Sequence, residues 1–264
     1  ILTVLEPLGL DYHIESGVGP VVENPVDGPG DVPGGHADVR EDLDYVGALL
    51  ERLQHSVGDR TSIVGFAGGP FTLACYAVAG QPAGKKQKPI RRFRVEHPEA
   101  FRELLERFAD VVVEYVEYQE DAGADVIQLF DTYAGLLSPA DYREFILPRH
   151  QRIFDAIDVP TIVFARNMAG NLDLLADSGA DVVGLDWTVD IETARDELGD
   201  IPVQGNLDPA LLYGEPSEVK ARTKAVIEAA GDHGHILNLG HGVDRNTPVE
   251  NVAAFFEAAQ EYGN

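Results

Sequence analysis

The chain has 264 residues, 44% hydrophobic and 25% charged, the length and balance of a single domain, residues 1–264, with a full core. Its 45 acidic residues against 20 basic ones give a formal charge of −25, which argues against nucleic acid as a partner. No run of 18 apolar residues offers a membrane span, and no secretory signal opens the chain, so a cytoplasmic protein is expected.

Cys75 is the only cysteine, so it forms no intramolecular disulfide and leaves the commoner zinc motifs without their ligands. The basic set is 15 Arg to 5 Lys. A surface dense in Asp and Glu and poor in Lys fits a protein from a halophile, where about 1 M salt shortens the Debye length to roughly 3 Å. An ordinary acidic cytosolic protein has the same composition.

The opening residues Ile1, Leu2, Val4, Leu5 and Leu8, closed by Gly9, form an amphipathic pattern without a Met, so the chain is expected to begin inside an element. A strand at Tyr12–Glu15 follows, then a Gly/Pro-rich loop over 17–35, a helix over 38–57 and a strand over 62–66. A second loop, 81–89, carries Lys85, Lys86 and Lys88 ahead of a helix at Pro98–Asp121 and a strand at Val126–Phe130. Ser138-Pro139-Ala140-Asp141 starts a helix over 139–157 as a capping box with Pro at the first helical position. Strands over 161–165, 182–186, 202–206 and 236–239 then alternate with helices over 171–178, Ile191–Leu198, Pro216–Ala230 and 247–262. Such alternation means repeated βα units and a parallel sheet, either open or closed into a barrel.

Residues just after the strands draw attention, because barrel enzymes place their chemistry there. They include Asp131-Thr132-Tyr133, Arg166-Asn167, Asp186-Trp187, Asn206-Leu207-Asp208 and Gly240-His241-Gly242. His241, flanked by glycines, is either a ligand-facing imidazole or a loop histidine bonded to a carbonyl. Tyr76 would reach the mouth from the first turn of a helix, or would be a half-buried tyrosine with a satisfied hydroxyl. Thr132 would donate to a ligand carboxylate or cap the next turn. Asp131 and Asp186 would do acid–base work or cap loops, while Asp208 reads as a helix N-cap ahead of Pro209. The acidic helix face with Glu114, Glu117, Glu120 and Asp121 reads as solvated.

Gly65-Phe66-Ala67-Gly68-Gly69-Pro70-Phe71-Thr72-Leu73 resembles the Gly-Phe-x-Gly-x-Pro-(Trp/Phe)-Thr-Leu segment of uroporphyrinogen decarboxylases. Phe130-Asp131-Thr132-Tyr133-Ala134-Gly135, Val183-Gly184-Leu185-Asp186-Trp187-Thr188, Gln204-Gly205-Asn206-Leu207-Asp208-Pro209 and Asn238-Leu239-Gly240-His241-Gly242 resemble further family segments, in the family order. The resemblance implies an α/β fold of the (β/α)8 TIM-barrel class, here expected to lack its first strand-helix unit. It implies a cofactor-free, metal-free decarboxylase that converts the acetates of uroporphyrinogen to methyl groups in haem biosynthesis. A homodimer is implied as well. By position Tyr76, Thr132 and His241 match substrate-binding residues, with Tyr76 and His241 as catalytic candidates, and Phe66 and Phe71 match apolar residues near the cleft.

Two family features have no counterpart in these residues: an arginine-bearing segment for substrate carboxylates and an Asp placed against the pyrrole nitrogens. Both are expected ahead of Ile1. Their absence keeps open a non-catalytic or degenerate porphyrinogen-binding protein. A corrinoid-linked methyltransferase of the same superfamily is the enzyme rival, but its His-x-Cys and later Cys zinc ligands cannot be drawn from Cys75 alone. With a substrate of up to eight carboxylates meeting an acidic chain, binding would rest on a local basic pocket, Arg166 contributing, with high salt screening the exterior.

Overall fold

The computed structural model describes residues 1–34, 38–82 and 87–263, so Gly35, Lys85 and Lys86 of the two predicted loops lie outside the described residues. The chain divides into two compact units, Ile1–Thr161 and Ile162–Asn264.

The first unit begins with a 3-10 turn at Thr3–Leu8 and the strands β1 (Tyr12–Glu15) and β2 (Gly19–Val22). They pair antiparallel, Glu15 opposite Gly19, so Tyr12–Glu15 is one arm of a hairpin and not a strand of the parallel sheet. Positive φ at Gly17 and Gly19 lets the chain reverse within three residues, which is why a strand lies inside the expected loop. The helices α1 (Val39–Asp42) and α2 (Asp44–Val57) divide the predicted 38–57 helix at Leu43, with the Asp38 carboxylate accepting the Glu41 amide at the first start.

The parallel pair β3 (Val64–Gly68) and β4 (Val126–Phe130) is separated by α3 (Pro70–Ala79), α4 (Lys88–Glu96) and α5 (Pro98–Asp121). α3 is buried at eight of its ten positions, so it has no polar stripe and no helical period to read. α6 (Pro139–Phe145) and α7 (Leu147–Phe154) close the unit. They are two helices instead of the one expected because Pro148 brings no amide to a ladder through Ile146. Ser138 accepts the Asp141 amide, but its hydroxyl also donates to the Asp141 carboxylate at 2.8 Å, a variant of the expected box.

α5 turns Phe101, Leu104, Leu105, Phe108, Val112 and Val116 inward at i, i+3, i+4, i+7 spacing. Phe101 meets Phe71 and Phe145 edge to face at 6.4 and 5.3 Å. The outer face of α5 is not simply solvated: Asp121 takes Arg40, and Glu120 accepts the Asp158 amide.

The second unit carries β5 (Thr161–Phe164, from Ile162 on), α8 (Leu172–Ala176), β6 (Val182–Gly184), α9 (Ile191–Leu198), β7 (Val203–Leu207), α10 (Pro216–Ala230), β8 (His235–Leu239) and α11 (Val249–Tyr262). The four strands pair in chain order, all parallel. β6 and β7 are buried along their whole length, as expected of parallel strands covered on both faces. Leu207, Leu212, Val219, Ala254 and Phe255 form a core cluster. Asp208 caps the 3-10 turn at Pro209–Tyr213 by accepting the Ala210 amide at 2.9 Å, as its sequence setting implied.

Phe101→Ala, at a fully buried site with two aromatic neighbours, is expected to destabilise the chain by about 3–5 kcal/mol in denaturant unfolding followed by circular dichroism. Val95→Ala, at a site 70% exposed on α4, is expected to stay within about 0.5 kcal/mol of the parent.

Candidate active site

Two clusters gather the residues singled out from the sequence, one in each unit. In the first unit, Asp131 lies at the end of β4 with no exposure. Its Oδ1 accepts the Thr72 amide at 2.7 Å and its Oδ2 the Phe71 amide at 3.3 Å, two of the four amides that a helix leaves unpaired at its start. The approach is close enough that a Cβ on Gly69 would fall 2.3 Å from that of Asp131. Oδ2 also faces His150 Nε2 at 3.0 Å, and His150 Nδ1 faces the Tyr142 hydroxyl at 3.1 Å. Asp131 is thereby the clamp on the α3 terminus, a buried Asp–His–Tyr chain that residues 19 apart in sequence did not announce.

α3 in turn positions Tyr76, which stands in its second turn and not in the first. The Thr72 hydroxyl accepts the Tyr133 amide at 3.0 Å, setting Tyr133 beside Tyr76 with ring centroids 5.9 Å apart and the phenols hydrogen-bonded. Burial, and then Tyr133, push the Tyr76 phenol well above its ordinary range, so it is a neutral hydroxyl at any working pH. Thr132 is half-buried next to this pair, and its hydroxyl has no partner among the described residues. Phe66 is 45% exposed and meets Phe130 edge to face at 6.2 Å. Phe71 is 2% exposed, with its ring turned onto Phe101.

In the second unit, Asp186 does at β6 what Asp131 does at β4. Its carboxylate accepts the Asn167 amide at 2.5 Å, the Thr188 amide at 2.7 Å and the Thr188 hydroxyl. Asn206 donates to the Asp186 and Val189 carbonyls at 2.9 and 2.7 Å. The turns after β5 and β6 are thus tied to each other and to β7.

Above them, His241 stacks on Phe164 with centroids 5.8 Å apart and planes 9° from parallel, and leans on Trp187 at 6.3 Å. Gly240 permits this: a Cβ there would lie 2.3 Å from the Trp187 amide nitrogen. Arg166 lays its guanidinium over the Trp187 ring at 4.6 Å. Partial burial holds the His241 imidazole below its usual 6.5, Arg166 adds to the lowering, and Asp186 opposes it. The cluster is an aromatic shelf with a neutral-leaning imidazole and a fixed cation at its edge. Trp187 and Phe164 had only their strand-end setting as a signal, and Tyr133 only its adjacency to Thr132.

The family model described as Uroporphyrinogen decarboxylase (URO-D) matches residues 1–262. The chain is similar to Uroporphyrinogen decarboxylase of Nostoc punctiforme, 42% identical over 268 residues, covering 99% of this chain and 76% of that protein. It is likewise 42% identical to Uroporphyrinogen decarboxylase 2, chloroplastic, of Arabidopsis thaliana, covering 99% of this chain and 68% of the relative. Among solved structures, a methyltransferase from Methanosarcina mazei superposes with a TM-score of 0.86 at 25% identity, covering 100% of this chain and 79% of the other. A B12-independent methionine synthase from Shewanella shares the fold at a TM-score of 0.61 and 14% identity.

Two outcomes are expected of the site's framework. Asp131→Ala leaves two α3 amides and His150 without their acceptor and should cost about 3 kcal/mol or more in unfolding free energy, with Asp131→Asn between it and the parent. His241 should titrate below 6.5 by NMR. A depressed histidine binds its proton more tightly unfolded, so its share of stability is complete above 6.5 and is lost as pH falls from there toward the folded-state value.

Proposed function

The chain belongs to the uroporphyrinogen decarboxylase family, and on that premise we propose that Tyr76, Thr132 and His241 are the groups that meet its tetrapyrrole substrate. It is a carboxy-lyase of porphyrin synthesis with the α/β, TIM-barrel-like fold of its relatives. The observation that carries this is a match over nearly the whole chain at about 40% identity to several curated decarboxylases.

The reaction replaces a carboxylate with a proton. A pyrrole carbon takes a proton, the bond from the acetate methylene to its carboxylate breaks, and the electron pair enters the cationic ring as carbon dioxide leaves. A second proton then completes the methyl group while the first is released. The protein must hold the remaining carboxylates, exclude water and present hydroxyl or imidazole groups that exchange protons without carrying a fixed charge. The neutral phenol of Tyr76 and the depressed imidazole of His241 suit that work. Phe164 and Trp187 in the second unit offer apolar surface to a macrocycle, and Phe66 offers a partly exposed ring in the first. Phe71 acts from behind, through its packing on Phe101.

We read the molecule as a homodimer of a salt-rich cytoplasm, supported by the family and by the acidic excess of 45 to 20. Among the described residues no helix is long and apolar enough to cross a membrane.

The deciding assay is anaerobic conversion of uroporphyrinogen to coproporphyrinogen by the full-length protein in molar salt. Turnover is expected, with kcat/KM reduced about tenfold or more in His241→Ala and in Tyr76→Phe, or about 1.4 kcal/mol of transition-state stabilisation each. A folded protein without turnover at any salt concentration would point to porphyrinogen binding alone. Affinity for the polycarboxylate is expected to hold or rise as salt goes from low to molar, read by fluorescence titration. A steady fall would contradict screening of the acidic exterior.

A further inference from the structure

The described arginines that are not exposed are Arg94, Arg107, Arg149, Arg166 and Arg195. Four of them have a protein acceptor. Arg94 meets Asp141, Arg107 meets Glu103, Arg149 meets Glu106, and Arg195 donates to the Ile201 and His233 carbonyls. Arg166 has none among the described residues. Its Nε is buried without a partner, and among the described residues its guanidinium rests on the Trp187 ring face.

This is unexpected in a chain with 45 carboxylates, and the reason is local. The nearby acid, Asp186, spends its carboxylate on Asn167 and Thr188 and makes no ion pair with Arg166. The arrangement leaves a planar five-donor fork, fixed by stacking, without a counter-ion, beside His241. Arg166 also contributes to keeping the His241 imidazole below its usual range, so cation and neutral ring are separate functions at neighbouring positions.

We propose that Arg166 is the anchor for one carboxylate of the bound tetrapyrrole, taken in a forked pair of hydrogen bonds, and that it thereby sets which acidic side chain stands over the aromatic shelf. This rests on the decarboxylase reading of the same site. An aromatic face orients the fork without consuming its donors, whereas a protein carboxylate would compete with the ligand. Arginine suits this better than lysine, whose point charge fixes no plane.

The test compares the parent, Arg166→Gln and Arg166→Lys by fluorescence titration with two oxidised probes, uroporphyrin III with eight carboxylates and coproporphyrin III with four. Turnover of uroporphyrinogen is measured in parallel. Arg166→Gln is expected to weaken binding and raise KM by about tenfold, with Arg166→Lys intermediate. Weakening of both probes assigns the anchored group as a propionate, present in each; weakening of uroporphyrin alone assigns it as an acetate. Either result supports the anchor. Parent-like affinity and KM in both variants, with the parent active, would overturn it and leave the decarboxylase reading standing. A parent that neither binds nor turns over would overturn that reading, and the anchor with it. The NMR titration of His241 supplies a separate readout. Its midpoint should move up toward 6.5 in Arg166→Gln, and an unmoved midpoint would contradict the placement of the cation. Should the Gln variant not fold, Arg166→Lys decides, because it keeps the charge and loses only the fork: an unchanged KM there would overturn the forked contact.

Discussion

A carboxylate buried at the end of a strand, with its lone pairs given to backbone amides, is the constraint on which both clusters depend. Asp131 does this for the start of α3, and Asp186 for the turns after β5 and β6. In a low-dielectric interior such groups persist only when they are fully hydrogen-bonded, so each aspartate fixes the backbone around it in one arrangement. Tyr76 owes its place to the first and Trp187 its place to the second. The acids that looked available for acid–base chemistry are instead the ones that hold the side chains proposed to meet the ligand.

What the sequence made legible was the part of the fold governed by period and punctuation. Pro98–Asp121, Ile191–Leu198 and Pro216–Ala230 stand within the bounds their capping and spacing implied, because an amphipathic helix with clear ends leaves little freedom. α3 was hidden because burial on every side erases the helical stripe. The hairpin of Tyr12–Glu15 was half-hidden because its partner strand consists of Gly, Pro and Val inside a stretch that composition marks as loop. Of the site, His241 and Tyr76 were visible through their motifs. The His150–Asp131 pairing and the Tyr76–Tyr133 bond were not, because tertiary contacts between residues far apart in the chain leave no local pattern.

The scarcity of basic residues sharpens what each one does. Glu106 accepts both Arg149 and Arg152, and Asp110 takes Arg152 again, so a small set of arginines ties α7 to α5 while the surrounding surface stays acidic. Networks of this kind, with one acid serving two cations, resist screening better than isolated surface pairs, the more so where one partner is nearly buried, as Arg149 is. A chain of charge −25 must repel itself at low ionic strength. Its helix-to-helix arginine links therefore matter most where salt is dilute.

Trp187 is the only tryptophan in the chain, and it lies under Arg166 and against His241. Nearly all long-wavelength protein emission thus originates at a single ring in the second cluster. The molecule carries an optical reporter where its ligand is expected to sit, without any label. An oxidised porphyrin probe arriving there would drain that emission by energy transfer, so its occupancy can be followed in the unmodified protein.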